Sequence, residues 1–185
     1  ENSSHYFAAG QDYLWNGAAL DAAGDVDGDG LGDIIVGAYG NDDAGGNAGM
    51  TYVFLGASFG SEQSVHAADA DYRIAGAYSG DYSGYSVAGG GDIDGDGLSD
   101  VLIGAPQNPD GGVRAGAVYA VFGSSLGDEQ NLDLYLHADH QLLGEQDNDY
   151  AGRSVANAGD VDGDGLDDIV LGSYNLRHAD STTVG

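Results

Sequence analysis

Apolar residues along this chain come in short runs that never lengthen into a helical face. Between residues 78 and 145 the runs are Tyr85 to Ala88, Val101 to Ala105, Ala117 to Phe122 and Gln141 to Leu143. They are β-branched or aromatic, a few residues long, and bounded by glycine, aspartate and asparagine, which is the pattern of strands between tight turns. No segment keeps apolar spacings of three and four over helical length. The pattern predicts an all-β chain of short strands.

The same set of runs recurs. GDVDGDGLGD leads into IIVGAY from Gly24, GDIDGDGLSD into VLIGAP from Gly91, and GDVDGDGLDD into IVLGSY from Gly159. Asp25 lies 67 residues before Asp92, and Asp92 lies 68 before Asp160. Trp15-Asn16-Gly17, Tyr82-Ser83-Gly84 and Tyr150-Ala151-Gly152 stand equally far upstream of the acidic stretches, and Gly49 to Gly56 matches Gly116 to Gly123 downstream. A unit of four antiparallel strands cannot cover both its faces, so it needs neighbours of its own kind, as the blades of a β-propeller do.

Aligning the repeats divides the chain. His5 to Ala9 matches Tyr72 to Gly76, so residues 1–10 are expected to form the outer strand of a preceding or neighbouring blade. Residues 11–77 and 78–145 make two whole blades, and 146–185 the first half of a third. About two and a half blades fall short of the roughly four to eight of a closed propeller. Unfinished blades leave open edges, so self-association or further blades from the same parent chain are expected.

Composition changes the picture in two ways. With 31 acidic and only four basic side chains, all arginine, the net charge is −27, which excludes phosphate-neutralising nucleic-acid binding and repels anionic lipid. No apolar run is long enough to span a bilayer, so no membrane insertion is expected, and no basic segment with an apolar stretch opens the chain as a secretory signal would. The absence of cysteine removes disulfides and thiolate metal sites together. Such a surface invites cations.

The acidic stretches have the form of a cation loop. Asp25, Asp27 and Asp29 stand at positions one, three and five, a glycine follows at position six, the Leu31 carbonyl falls at position seven, and Asp33 at position nine. Asp92, Asp94, Asp96, Leu98 and Asp100 repeat the set, as do Asp160, Asp162, Asp164, Leu166 and Asp168. Alternating aspartates on a tight loop supply the oxygen ligands that Ca²⁺ prefers, so three structural Ca²⁺ sites are expected. Asp167, at position eight, is placed outside the ligand shell. An EF-hand would need glutamate at position twelve, where Val36, Ile103 and Leu171 stand inside apolar runs. A lone acidic turn could be merely solvated, but three with identical spacing point to metal.

These residues carry a family likeness. Gly84 to Ala88, the DxDGDGxxD loop, Leu102 to Pro106 and Gly116 to Tyr119 resemble FG-GAP repeats, the blades of the integrin alpha-subunit propeller and its bacterial secreted relatives. The resemblance implies Ca²⁺ on the loop joining the first two strands of each blade, and an extracellular, secreted or cell-surface place. The Phe of the motif is replaced by Asn16, Ser83 and Ala151, and GAP survives only at Gly104 to Pro106.

The expected function is a non-catalytic, calcium-stabilised binding and adhesion module with a protein or glycan ligand. Two alternatives stand beside it: a structural subunit assembling through its incomplete terminal blades, and a lectin-like accessory domain of a secreted hydrolase. Catalysis is not expected. Ser86 and Ser154 superficially sit as in a nucleophile elbow, but the strand-turn-helix context is missing. His5, His66, His137, His140 and His178 share no ligand spacing. Tyr52, Tyr119, Tyr82 and Tyr150 recur at repeat positions and read as packing residues, whereas Trp15 breaks the tyrosine pattern and is a candidate contact. Asn2-Ser3-Ser4 has the form of a glycosylation acceptor.

Overall fold

A computed structural model of the chain describes residues 6–8, 18–59, 64–127 and 129–174. Trp15, the Asn2-Ser3-Ser4 sequence, His5, His178 and Gly185 lie outside the described residues. The strands are β1 (Tyr6–Ala8), β2 (Ala19–Gly24), β3 (Asp33–Ala38), β4 (Met50–Phe54), β5 (Ser64–His66), β6 (Tyr72–Ala75) and β7 (Ser86–Gly91). They continue as β8 (Asp100–Ala105), β9 (Ala117–Val121), β10 (Asn131–Asp133), β11 (His140–Leu143), β12 (Ser154–Gly159) and β13 (Asp168–Gly172). Two single-turn helices, α1 (Gly123–Leu126) and α2 (Leu134–His137), complete the described elements with two 3₁₀ turns.

The strands form meanders. β2, β3, β4 and β6 pair antiparallel in sequence order, and β7, β8, β9 and β11 repeat the arrangement. β12 and β13 start a third copy. The fold is thus all-β, built of propeller-type blades, and the described sheets close no barrel. One strand per blade was not read from the sequence. β10 crosses to the preceding sheet and pairs parallel with β6, Asn131 opposite Arg73, and β5 pairs with β1 in the same register, Ser64 opposite Tyr6.

Burial follows the period of two. Ile35, Val53 and Ile74 point from the first blade toward the second, where they meet Val101, Ile103, Tyr119 and Val121 in one cluster. Val36, Tyr52 and Phe54, one residue out of phase, pack on the opposite face of the first blade. Leu102 and Ala120 meet Val155 and Ile169 of the third. The core therefore lies between blades, which is why β8 and β9 are buried along their whole length.

Close approach of neighbouring blades needs bare backbone. A Cβ on Gly37 would collide with the Gly84 carbonyl, and one on Gly104 with that of Gly152. The first strand of each blade ends in a bulge, between Ala22 and Gly24, Gly89 and Gly91, and Asn157 and Gly159. Gly24, Gly91 and Gly159 take φ of 84°, 70° and 70° there, conformations that suit glycine. Each bulge turns the chain into the acidic loop.

Candidate metal centres

The three acidic loops join β2 to β3, β7 to β8 and β12 to β13, and they fold the same way. The two oxygens of Asp25 accept from the backbone N–H of Gly28 at 2.8 Å and of Gly30 at 2.9 Å. Asp92 accepts from Gly95 and Gly97 at 2.7 and 3.0 Å, and Asp160 from Gly163 and Gly165 at 2.7 and 3.0 Å. Asp27, Asp94 and Asp162 each accept from the N–H two residues on at 3.1 Å. Asp29, Asp96 and Asp164 do the same for Leu31, Leu98 and Leu166 at 2.7 to 2.9 Å. The alternating aspartates hold the turn by their own side chains, as Asx residues do.

This folding gathers carboxylates. Single oxygens of Asp25, Asp27 and Asp29 lie within 4.8 Å of one another, as do those of Asp92, Asp94 and Asp96. In the third loop the group is Asp160, Asp162 and Asp168. Among the described residues no Arg or His side chain pairs with any of them, the one ion pair there being His137 with Glu129 at 3.9 Å. The donor set is all oxygen, carboxylate-rich and on a loop, which fits a hard cation such as Ca²⁺ rather than a metal seeking nitrogen or sulfur.

The aspartate at position nine has a second task. Asp33 is buried, with Oδ2 accepting from Val26 N–H at 2.7 Å and Oδ1 from Gly56 N–H at 2.7 Å. Asp100 is fully buried and accepts from Ile93 at 2.7 Å and Gly123 at 3.0 Å. Asp168 makes the equivalent first bond, from Val161 at 2.8 Å. Asp33 and Asp100 thereby fasten the acidic loop to the turn after the third strand, and stand outside the three-carboxylate groups. A carboxylate offers about four lone-pair sites, so two N–H partners leave room for a cation. Burial pushes Asp33 above the usual carboxylate range and Asp100 to about 6, the backbone N–H groups opposing and the neighbouring loop aspartates adding to the rise. A bound cation reverses that balance.

Consecutive loops are tied together, which the spacing alone did not reveal. Ser99 N–H donates to the Asp25 carbonyl at 2.8 Å, and Asp25 N–H donates to Ser99 Oγ at 3.2 Å. One blade later Asp167 N–H donates to the Asp92 carbonyl at 2.9 Å, and Asp92 N–H to Asp167 Oδ2 at 3.2 Å. Position eight of the second and third loops thus clamps position one of the loop before it. Ser86, the elbow-like serine, donates its hydroxyl to the Gly152 carbonyl at 2.8 Å and so also joins blades.

At the opposite end of the second sheet, Asp81 has no solvent exposure. Its Oδ2 accepts from Tyr78 N–H at 3.0 Å and Asn108 Nδ2 at 3.4 Å, and Oδ1 has no hydrogen-bond partner. Burial pushes its pKa from 3.8 up to about 6. The folded state therefore holds this proton more tightly than the unfolded chain. The resulting stability is complete below about pH 4 and is lost as pH rises through 6, an effect on the order of 3 kcal/mol. Calcium-depleted protein is expected to melt higher at pH 5 than at pH 7 in calorimetry, and Asp81→Asn to make that slope shallower, with the buried Asp100 carrying the rest. An unchanged slope in the variant would show that other carboxylates set it.

FG-GAP repeats match residues 16–54, 83–121 and 151–184, together more than half of the chain. Mouse integrin alpha-M is 41% identical over 100 residues, covering 51% of this chain and 8% of its own. Integrin alpha-4 of Xenopus laevis is 32% identical over 160 residues, covering 85% of this chain and 14% of its own. Integrin alpha pat-2 of Caenorhabditis briggsae is 32% identical over 179 residues, covering 88% and 14%. The chain thus spans a small part of the length of these relatives. Each matched segment begins just before the first strand of a blade and holds one acidic loop, and the chain belongs to the FG-GAP repeat family.

Proposed function

We propose that this chain is a non-catalytic, extracellular binding and adhesion module whose three acidic loops each hold one structural Ca²⁺. The ligands are Asp25, Asp27, Asp29, the Leu31 carbonyl and Asp33 in the first loop, and Asp92, Asp94, Asp96, Leu98 and Asp100 in the second. Asp160, Asp162, Asp164, Leu166 and Asp168 make up the third. The observation that carries this reading is a three-carboxylate group in each of the three loops, with no cationic side chain paired to it among the described residues. Calcium would screen the aspartates and stiffen the turn between the first two strands of a blade.

The integrin alpha likeness supports adhesion to a protein or glycan partner at a cell surface or in a secreted setting. No helix among the described residues is long and apolar enough to cross a membrane. The parallel pairing of β1 with β5, which repeats that of β6 with β10, supports assigning residues 1–10 to the outer strand of a preceding blade. Further blades would come from the same parent chain or from another copy.

Native mass spectrometry in calcium tests the central claim. Three ions per chain are expected, with two in a variant carrying Asp92→Ala and Asp94→Ala. A chain that retains no calcium sinks the proposal.

A further inference from the structure

The two complete blades carry the same cavity at the same place, at the end of the sheet opposite the acidic loop, and they line it differently. In the first blade the cavity, about 180 Å³, is walled by Asp43, Met50, Tyr52, Ala67, Ala68 and Arg73. In the second, about 140 Å³, the walls are Asp110, Tyr119, Leu134, Tyr135, Ala138 and Gln141. The repeat register makes Asp43 the counterpart of Asp110, Tyr52 of Tyr119 and Ala68 of Tyr135, and Arg73, opposite Tyr52, the counterpart of Gln141, opposite Tyr119.

The differences point to a ligand. In the first blade the carboxylate of Asp43 shares its cavity with the guanidinium of Arg73, whose Nη2 donates to the Ala68 carbonyl at 2.7 Å. The second blade has a neutral amide instead: Gln141 Nε2 donates to Asp110 Oδ2 at 2.9 Å and to the Tyr119 hydroxyl oxygen at 3.1 Å. Asn108 Nδ2 donates to the same hydroxyl at 2.7 Å. Asn108 and Gln141 thus both donate to the Tyr119 hydroxyl oxygen, which keeps its own hydrogen to donate. The adjoining turn has also changed. Ala67–Asp69 is a single 3₁₀ turn, whereas its counterpart α2 is one residue longer and raises Tyr135 over the rim, 66% exposed. The Tyr135 ring meets Tyr78 edge to face at 5.9 Å. Blade packing requires none of this, because the first blade builds the same fold with alanine and arginine.

We propose that this cavity of the second blade is a binding site for one neutral pyranose ring of a glycan. The exposed Tyr135 face suits the C–H face of a sugar. The Asp110 carboxylate accepts from ring hydroxyls, Tyr119 donates, and the Gln141 carbonyl oxygen accepts. The volume is below the roughly 300–1,000 Å³ of sites for drug-sized ligands, which suits a single ring. With a net charge of −27, the chain disfavours uronic, sulfated and phosphorylated sugars. The site does not rest on the calcium reading, since it stands at the other end of the sheet.

The test is an amide-resolved NMR titration of the folded chain in calcium with methyl glycosides of glucose, galactose, mannose and N-acetylglucosamine. A ring held by a few hydrogen bonds binds at the millimolar level. At least one glycoside is expected to shift the amides of Asp110, Tyr135 and Gln141 saturably and to leave the acidic-loop amides in place. Tyr135→Ala and Gln141→Arg import residues that the first blade already accommodates, so both should fold and weaken binding at least tenfold. No saturable shift with any glycoside overturns the proposal. So does affinity unchanged in both variants, or a response only to a cationic probe such as acetyl-lysine methylamide.

Discussion

Removing calcium is expected to lower the thermal unfolding midpoint by about 15–30 °C. A ligand present at a hundred times its Kd adds about 2.7 kcal/mol per site, so three independent sites contribute about 8 kcal/mol. For a chain of this size each kcal/mol moves the midpoint by roughly 2–4 °C. The electrostatics act in the same direction. Without an ion, each loop confines three carboxylates within 4.8 Å, with no basic side chain paired to them among the described residues. The Ser99–Asp25 and Asp167–Asp92 bonds join one loop to the next, so the blades should lose structure together rather than singly. Calorimetry with calcium and with a chelator measures the difference. Coincident curves would mean that the loops are solvated acidic turns that hold no metal.

Asp100→Ala is expected to be the most damaging single substitution in the loops, and to remain so in chelator. It orphans the buried N–H of Gly123 and the part-buried N–H of Ile93; a fully buried group costs about 1–3 kcal/mol when left unsatisfied, so the pair costs up to about 6 kcal/mol. Asp96→Ala offers the contrast. Asp96 is exposed and accepts only from Leu98 N–H, so its loss should be nearly neutral without calcium and destabilising with it. Denaturant unfolding of both variants, with and without calcium, separates the fastening role from the ligand role. Equal losses in chelator would show that position nine does no more than its neighbours.

The acidic loops were legible because each is local. Its aspartates lie within nine positions, and Asx bonding with glycine turns at fixed offsets needs no distant partner. The strands of the second blade were legible for a similar reason: Ala117 to Phe122 and Gln141 to Leu143 show apolar runs between turn residues, and β9 and β11 fall there. β5 and β10 were not legible. Ser64–His66 and Asn131–Asp133 are three residues each, mixed in polarity, and extended because they add to the neighbouring blade's sheet. α2 is four residues long, shorter than any periodicity can reveal.

By itself, the sequence determined the repeat, the all-β class, the excess of carboxylate and the turn chemistry of the three loops, all of which are local or compositional. The tertiary structure decided which blade faces each strand's apolar side, that Asp33 and Asp100 turn inward to backbone N–H groups 23 residues away, and that Ser99 and Asp167 clamp the loops before them. It also decided that Tyr135, Gln141 and Asp110, scattered along the chain, meet around one cavity. The physical reason is that hydrogen bonds and burial between blades depend on the packing of whole sheets. Residues 67 or more positions apart in the chain become neighbours only once each blade has another to lie against.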